Sequence, residues 1–238
     1  MALGKTEPLE NWIPRTSLGR KVKNREITSI DEILDKGLKI LEPEIIDTLI
    51  PNLEHSLLEI GQSKGKFGGG RGSIWKQTQK ITKEGANITF TSYVVVGNKD
   101  GYIGIGSGSA KETVPAREKA IRQAKLNMIK IRRGCGAWAA GSRTPSSIPF
   151  ETIGKCGSIV VTLKPAPLGT KLVAEKKCRK ILELAGIKDV YAKTRGKTPT
   201  RINMVKACFD ALNNLNKMYV SEKQAKELCL VEGSLKNV

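Results

Sequence analysis

A chain of 238 residues with 41 lysines and arginines against 23 carboxylates carries a formal net charge of +18. That excess limits what the chain can be. A compact fold with so much charge of one sign repels itself, so it calls for a polyanionic partner. Nucleic acid and an acidic membrane surface are the two candidates. No run of about 18 apolar residues is present, so no span is expected. The first residues lack a charged stretch leading into an apolar one, so no signal peptide is expected. The membrane reading is therefore the weaker one, and no membrane partner is expected. Apolar residues make up 39% of the chain, enough for a core. With aromatics at 5%, that core must be built from Val, Ile, Leu and Ala.

The residues that usually carry chemistry are sparse. The five cysteines stand at 135, 156, 178, 208 and 229 with no Cys-x-x-Cys pair. An odd, scattered set argues against a disulfide framework or a zinc ribbon. The single histidine, His55, has no second histidine to share metal binding or catalysis, and its leucine neighbours read as a short helix. Gly196-Lys197-Thr198 resembles the end of a phosphate-binding loop, but Tyr191 occupies the place of that motif's first glycine. Gly104-Ile105-Gly106-Ser107-Gly108 has the wrong spacing for a dinucleotide loop. No catalytic residue, metal site or cofactor is predicted, and the chain is not expected to be an enzyme.

Residues 1–25 read as an extended arm. Residues 26–60 read as short helices: one carries Ile30, Ile33, Leu34 and Leu38 behind a Ser29 cap, and two more cover Pro43–Leu49 and Leu53–Ile60. Residues 61–133 open with a stretch to Lys83 that is basic throughout and centred on Gly68-Gly69-Gly70-Arg71-Gly72. Glycine lets a backbone approach closely while lysine supplies charge, so this stretch is predicted to contact phosphates. A strand over Ala86–Val96 follows, then an Asp100-Gly101 turn and a glycine-rich return strand over Tyr102–Gly108. A long helix is predicted over Val114–Arg133, its alanine stripe able to lie close to that glycine strand.

Residues 134–149, rich in Gly, Ser and Pro, read as a linker. Residues 150–216 alternate a strand at Ser158–Leu163, a helix at Lys171–Ala185 stopped by Gly186, a strand at Ile187–Ala192 and a helix at Thr200–Leu215. Residues 217–238 form a polar tail with a short helix near Ser221–Leu230.

Several blocks then carry a resemblance. Tyr93-Val94-Val95-Val96-Gly97-Asn98-Lys99-Asp100-Gly101-Tyr102-Ile103-Gly104-Ile105-Gly106 resembles the signature hairpin of the small-subunit ribosomal protein family called S five in bacteria and S two in eukaryotes. Cys156-Gly157-Ser158-Ile159-Val160-Val161-Thr162-Leu163-Lys164-Pro165-Ala166-Pro167-Leu168-Gly169-Thr170 and Leu184-Ala185-Gly186-Ile187-Lys188-Asp189-Val190 are similar to its second-domain signatures. Trp12–Arg20 and Arg132–Gly136 resemble the archaeal and eukaryotic branch.

The resemblance covers residues 11 to 215 in order. It implies an α+β protein: a double-stranded-RNA-binding-like N-terminal domain plus a small α/β second domain of the ribosomal S five domain-two type. It further implies a structural constituent of the small subunit. The partners would be small-subunit ribosomal RNA, neighbouring small-subunit ribosomal proteins and messenger RNA where it enters the subunit. The implied roles are assembly, decoding fidelity and messenger handling. Bacterial relatives carry arginine near Gly85-Ala86-Asn87, where this chain is neutral, so RNA contact is expected to shift to the basic stretch before it.

The residues predicted to contact RNA are Lys64, Lys66, Arg71, Lys76 and Lys80 in the first domain, Arg132 and Arg133 at the joint, and Arg195, Lys197 and Arg201 in the second. Two rival readings are a free double-stranded-RNA-binding module acting off the ribosome and a nucleotide-dependent enzyme. The first leaves the second-domain signature unexplained, and the second lacks the required Gly- and Ser-rich nucleotide loop.

Overall fold

The computed structural model describes residues 12–50, 52–62, 72–137 and 144–234. In chain order the elements are α1 (Ser17–Lys23), α2 (Ile30–Asp35), α3 (Pro43–Leu49), β1 (Glu54–Leu57), β2 (Lys76–Thr82), β3 (Gly85–Gly97), β4 (Tyr102–Ala110), α4 (Thr113–Leu126), β5 (Met128–Lys130), β6 (Arg132–Arg133), β7 (Thr152–Cys156), β8 (Ile159–Pro165), β9 (Leu172–Val173), α5 (Lys176–Ala185), β10 (Val190–Arg195), α6 (Arg201–Lys217), α7 (Glu222–Glu227) and β11 (Val231–Glu232). The expected α+β class holds. One sheet runs β1-β3-β4-β5 with β2 also paired to β3, a second runs β7-β8-β10-β9, and β11 pairs β6.

The first sheet is organised around β3. Its first half pairs antiparallel with β2, from Gly85 opposite Thr82 to Thr91 opposite Lys76, and its last residues pair with β1. Successive side chains of a strand point to opposite faces. Val94 and Val96 join a core with Ala120, Ala124 and the isoleucines of α2 and α3, while Val95 joins a second core with α5, α6 and β8. The sheet is thus covered on both sides.

On the α4 side the approach is close because side chains are missing. A Cβ at Gly104, Gly106 or Gly108 would stand 2.1–2.3 Å from backbone atoms of Ala124, Ala120 or Ala116. Those three alanines are fully buried. The alanine stripe and the glycine strand read from the sequence do meet.

Six local expectations change. Residues 54–57 form a strand where a helix was expected. Leu53 and Leu57 pack into one core and Leu58 and Ile60 into the other, and only a two-residue period can serve both. The edge of β3 supplies the backbone partners, with Leu58 N–H donating to Tyr93 O at 3.0 Å.

The long helix ends at Leu126, not Arg133. Asn127 caps it, and residues 128–130 return as a strand on β4. Ile129 faces the second core from that strand, which is why it lies off the helical stripe.

In the second unit, α5 begins at Lys176, because the Glu175 carboxylate caps it by accepting from Lys177 and Cys178 N–H. Lys171 sits at φ +63, which no helix tolerates. The following strand runs three residues later than expected, over 190–195.

The expected linker is anchored wherever it is described. Ser147 bridges Gly134, its Oγ accepts from Ala166 N–H at 3.2 Å, and Ile148 is fully buried in the second core.

The described part of the N-terminal arm is helical rather than extended. Thr16 caps α1, and the carboxylate of Glu42, 8% exposed, accepts from Trp12 Nε1–H at 3.0 Å, Arg15 N–H at 2.9 Å and Thr16 N–H at 2.6 Å. Burial pushes the Glu42 carboxyl up. The Thr16, Arg15 and Trp12 hydrogen bonds outweigh it and leave the group below the usual carboxylate range. A depressed carboxyl stabilises the fold above its unfolded pKa and loses that contribution as pH falls through the folded value.

Gly106→Ala forces backbone against backbone and should cost about 3 kcal/mol, read as a lowered urea midpoint. Gly37→Ala, whose added Cβ meets nothing within 4 Å, should cost only about 1–2 kcal/mol of left-handed strain. Glu42→Gln should destabilise by about 2 kcal/mol at neutral pH. The gap from the parent should close as pH falls from about 4.5, measured by denaturant titrations across that range.

Candidate nucleic-acid interface

The hairpin of β2 and β3 extends beyond the part of the sheet that α4 covers. Six of the seven residues of β2 are exposed, with Ile81 at 82%. Lys83-Glu84 turns the chain, and Gly85 at φ +124 re-enters the strand. By the pleat, Lys76 and Lys80 lie on the face that β3 continues through Thr91, Tyr93 and Val95, the side of the second sheet. Gln77, Gln79 and Ile81 lie on the α4 side. No ion pair holds Lys76 or Lys80 among the described residues.

The basic loop starts at the foot of this hairpin. Gly61 and Ser73 form an isolated bridge, Gly61 N–H donating to Ser73 O at 2.7 Å. The guanidinium of Arg201 donates to Gly61 O, and a Cβ at Gly72 would come within 2.6 Å of it. The second unit therefore holds the foot at Gly61 and lies close to the one at Gly72. Lys64, Lys66 and Arg71 fall between those feet and lie outside the described residues.

Arg195 at the end of β10 and Lys197 in the following turn are exposed, and Thr200 N–H closes back on Lys197 O at 3.1 Å just before Arg201. Lys76 and Lys80 thus lie on the sheet face turned toward the second unit, and Arg201, which holds the loop's foot at Gly61, follows Lys197 by four residues. Arg201 is half-buried and acts there as a fastener.

Arg132 and Arg133 depart from expectation. The sequence places both on a helix facing a partner; instead both lie on β6 and turn inward. Arg133 is 3% exposed. Its Nη2 donates to Asp100 at 2.6 Å and to Gly233 O at 2.8 Å. Arg132 pairs with Glu232 at 2.7 Å and donates to the Leu215 and Met218 carbonyls. Each lies in the strand that pairs with β11, so the pleat and the tail together absorb their charge. Lys130 likewise meets Asp35 at 2.6 Å. The tail from 231 to 234 is held against the hairpin at 98–101, with Ser234 Oγ donating to Asp100. A sequence run Arg-Arg-Gly gives no sign of whether its charge faces in or out; that depends on the acids at 100 and 232.

His55, expected on a helix, sits on β1 near Arg117 of α4. Burial lowers its pKa, and the cations Arg117 and Lys125 lower it further. The described residues contain no cluster of three or more metal-ligating side chains, and no described helix is long and apolar enough to cross a membrane.

Removing Arg133 takes away the cation beside Asp100 and the donor to the Gly233 carbonyl at a buried joint. Arg133→Ala should therefore lower stability by about 3 kcal/mol without changing RNA affinity or its salt dependence. Thermal denaturation and RNA titration of the same sample check both halves.

Comparisons with known proteins follow the same division into two sheets. The family described as Ribosomal protein S5, N-terminal domain matches residues 75–132, and Ribosomal protein S5, C-terminal domain matches residues 154–227. The small ribosomal subunit protein uS5 of Methanocaldococcus jannaschii is 46% identical over 225 residues, covering 94% of this chain and 97% of its own. The protein of the same name from Nanoarchaeum equitans is 45% identical over 229 residues, covering 96% and 98%. The one from Staphylothermus marinus is 46% identical over 211 residues, covering 89% and 92%. With both halves matched in order and nearly half of all positions shared along almost the whole chain, the chain belongs to the ribosomal protein S5 family.

Proposed function

We propose that this chain is a non-enzymatic structural constituent of the small ribosomal subunit, of the archaeal and eukaryotic type. It binds small-subunit ribosomal RNA and neighbouring ribosomal proteins in the cytoplasm. Its proposed roles are subunit assembly, decoding fidelity and messenger handling where messenger RNA enters the subunit. The relatives, each a small ribosomal subunit protein uS5, support the setting. The observation that carries the reading of RNA binding is the exposed β2–β3 hairpin, whose Lys76 and Lys80 have no ion pair among the described residues and share the sheet face turned toward the second unit, which also holds the foot of the basic loop at Gly61.

Docking is electrostatic with shape matching. Lysines neutralise phosphates and release counterions, while the glycine-rich loop lets backbone approach backbone. Lys64, Lys66 and Arg71 remain proposed contacts from the sequence, joined by Arg195 and Lys197. We divide the roles between residues 61–133, which carry the hairpin, and residues 150–216, which fasten and extend it.

The test is titration of a small-subunit ribosomal RNA transcript at several salt concentrations. Lys76→Ala/Lys80→Ala should weaken binding and reduce the slope of log affinity against log salt by about 0.9 for each phosphate left without its lysine. Unchanged affinity and slope would remove the hairpin from the interface.

A further inference from the structure

The second sheet is covered on one face only. Helix α6 lies so close to β7 that a Cβ at Gly154 would stand 2.1 Å from Ala207 O. Ile159, Val161, Leu163 and Val190 bury their side chains in the same core. The alternate residues point the other way, and no described element packs on them.

The pairing register maps that open face. Lys155 lies across from Val160, which lies across from Arg195; Ile153 lies across from Thr162, which lies across from Lys193; and Lys164 lies across from Tyr191. Tyr191, Lys193 and Arg195 follow one another along β10, all exposed. Tyr191 is 42% exposed and Ile153 56%. The one acid paired on this face is Glu151, 3.3 Å from Lys164, and Lys155, Lys193 and Arg195 have no ion pair among the described residues. A sheet face that leaves an aromatic ring and unbalanced cations uncovered is complementary to a ligand with flat apolar faces and a polyanionic backbone.

We propose that the open face of β7, β8 and β10 is a platform for unpaired RNA. Tyr191 stacks on a base, and Lys193 and Arg195 along the same strand, with Lys155 across the sheet, hold the adjoining phosphates. Alternate residues of a strand stand about 6.6–6.8 Å apart, a spacing that matches successive phosphates of an extended strand. A duplex has its bases already stacked and offers Tyr191 nothing, so the ligand is single-stranded. This inference rests on the RNA-binding reading above and shares Arg195 with it, but its other residues stand on β7 and β10 rather than on the hairpin.

The experiment titrates the full chain into a fluorescent octauridylate and, separately, into a short RNA duplex. Tyr191→Ala should weaken octauridylate binding about tenfold and leave the duplex unaffected, while Tyr191→Phe, which keeps the ring, should restore it. Lys193→Ala/Arg195→Ala should lower the salt slope for the single strand by about 1.4. Circular dichroism melts of each variant confirm folding; these side chains are exposed, so the melts should match the parent. Octauridylate binding that ignores both the tyrosine and the cation variants, or a Tyr191→Ala weakening equal on duplex and single strand, would overturn the platform. If octauridylate depends only on Lys76 and Lys80, the platform fails while the hairpin reading stands. If neither RNA binds, both fail. Protection of β10 from hydrogen exchange in small subunits that survives ribonuclease digestion would assign the face to a protein and also overturn the proposal.

Discussion

The structure depends on β3 being buried on both faces over its second half. Val94 and Val96 look into the α4 core, and Val95 looks into the core that α5, α6 and β8 complete. This alternation joins the two sheets through a common apolar layer rather than a tether. The joint is tightened by backbone contact: Lys99 N–H donates to Leu184 O at 3.0 Å, Gly101 N–H donates to Ala185 O at 3.1 Å, and a Cβ at Gly97 would stand 2.4 Å from Leu184 O. The first half of β3, freed from that burial, carries the hairpin outward. Rigid seating of one sheet on the other is what gives the exposed cations a fixed arrangement.

The charge of the chain divides in two. One part is consumed internally, where Arg132, Arg133, Lys125 and Lys130 meet Glu232, Asp100, Asp47 and Asp35 and fasten helices and tail to the first sheet. The other part, on the hairpin and on the second sheet's open face, meets almost no acid. Only this second part can exchange counterions for phosphates. The net figure of +18 says that such a surplus exists, and the fold decides where it stands.

Much of this is legible in the sequence, and the departures share a cause. The Ser29 cap, the stop at Gly186, the turn at Asp100-Gly101 and the match of alanine helix to glycine strand are local or nearly local, and a few residues suffice to read each. The strand at 54–57 and the end of α4 at Leu126 are not, because a free edge of β3 and of β4 decides them across long stretches of chain. The same holds for the site. Lys76 and Lys80 stand in a run without acids, so composition alone proposes them, and their exposure keeps them as candidates. Arg132 and Arg133 mislead because their partners lie 100 and 33 positions away. Lys193 falls outside a strand read as ending at Ala192, and which face Tyr191 and Lys193 share is fixed only by the register of β10 on β8.

The central claim is that unpaired cations on a rigidly joined pair of sheets are what this chain offers to ribosomal RNA. Lysine-reactivity footprinting of the free chain and of the chain bound to a small-subunit ribosomal RNA transcript tests it most directly. Lys76, Lys80 and Lys197 should lose most of their reactivity on binding, while Lys125 and Lys130, already paired with Asp47 and Asp35, should react equally in both states. Protection of the paired lysines with Lys76 and Lys80 left as reactive as before would contradict the account.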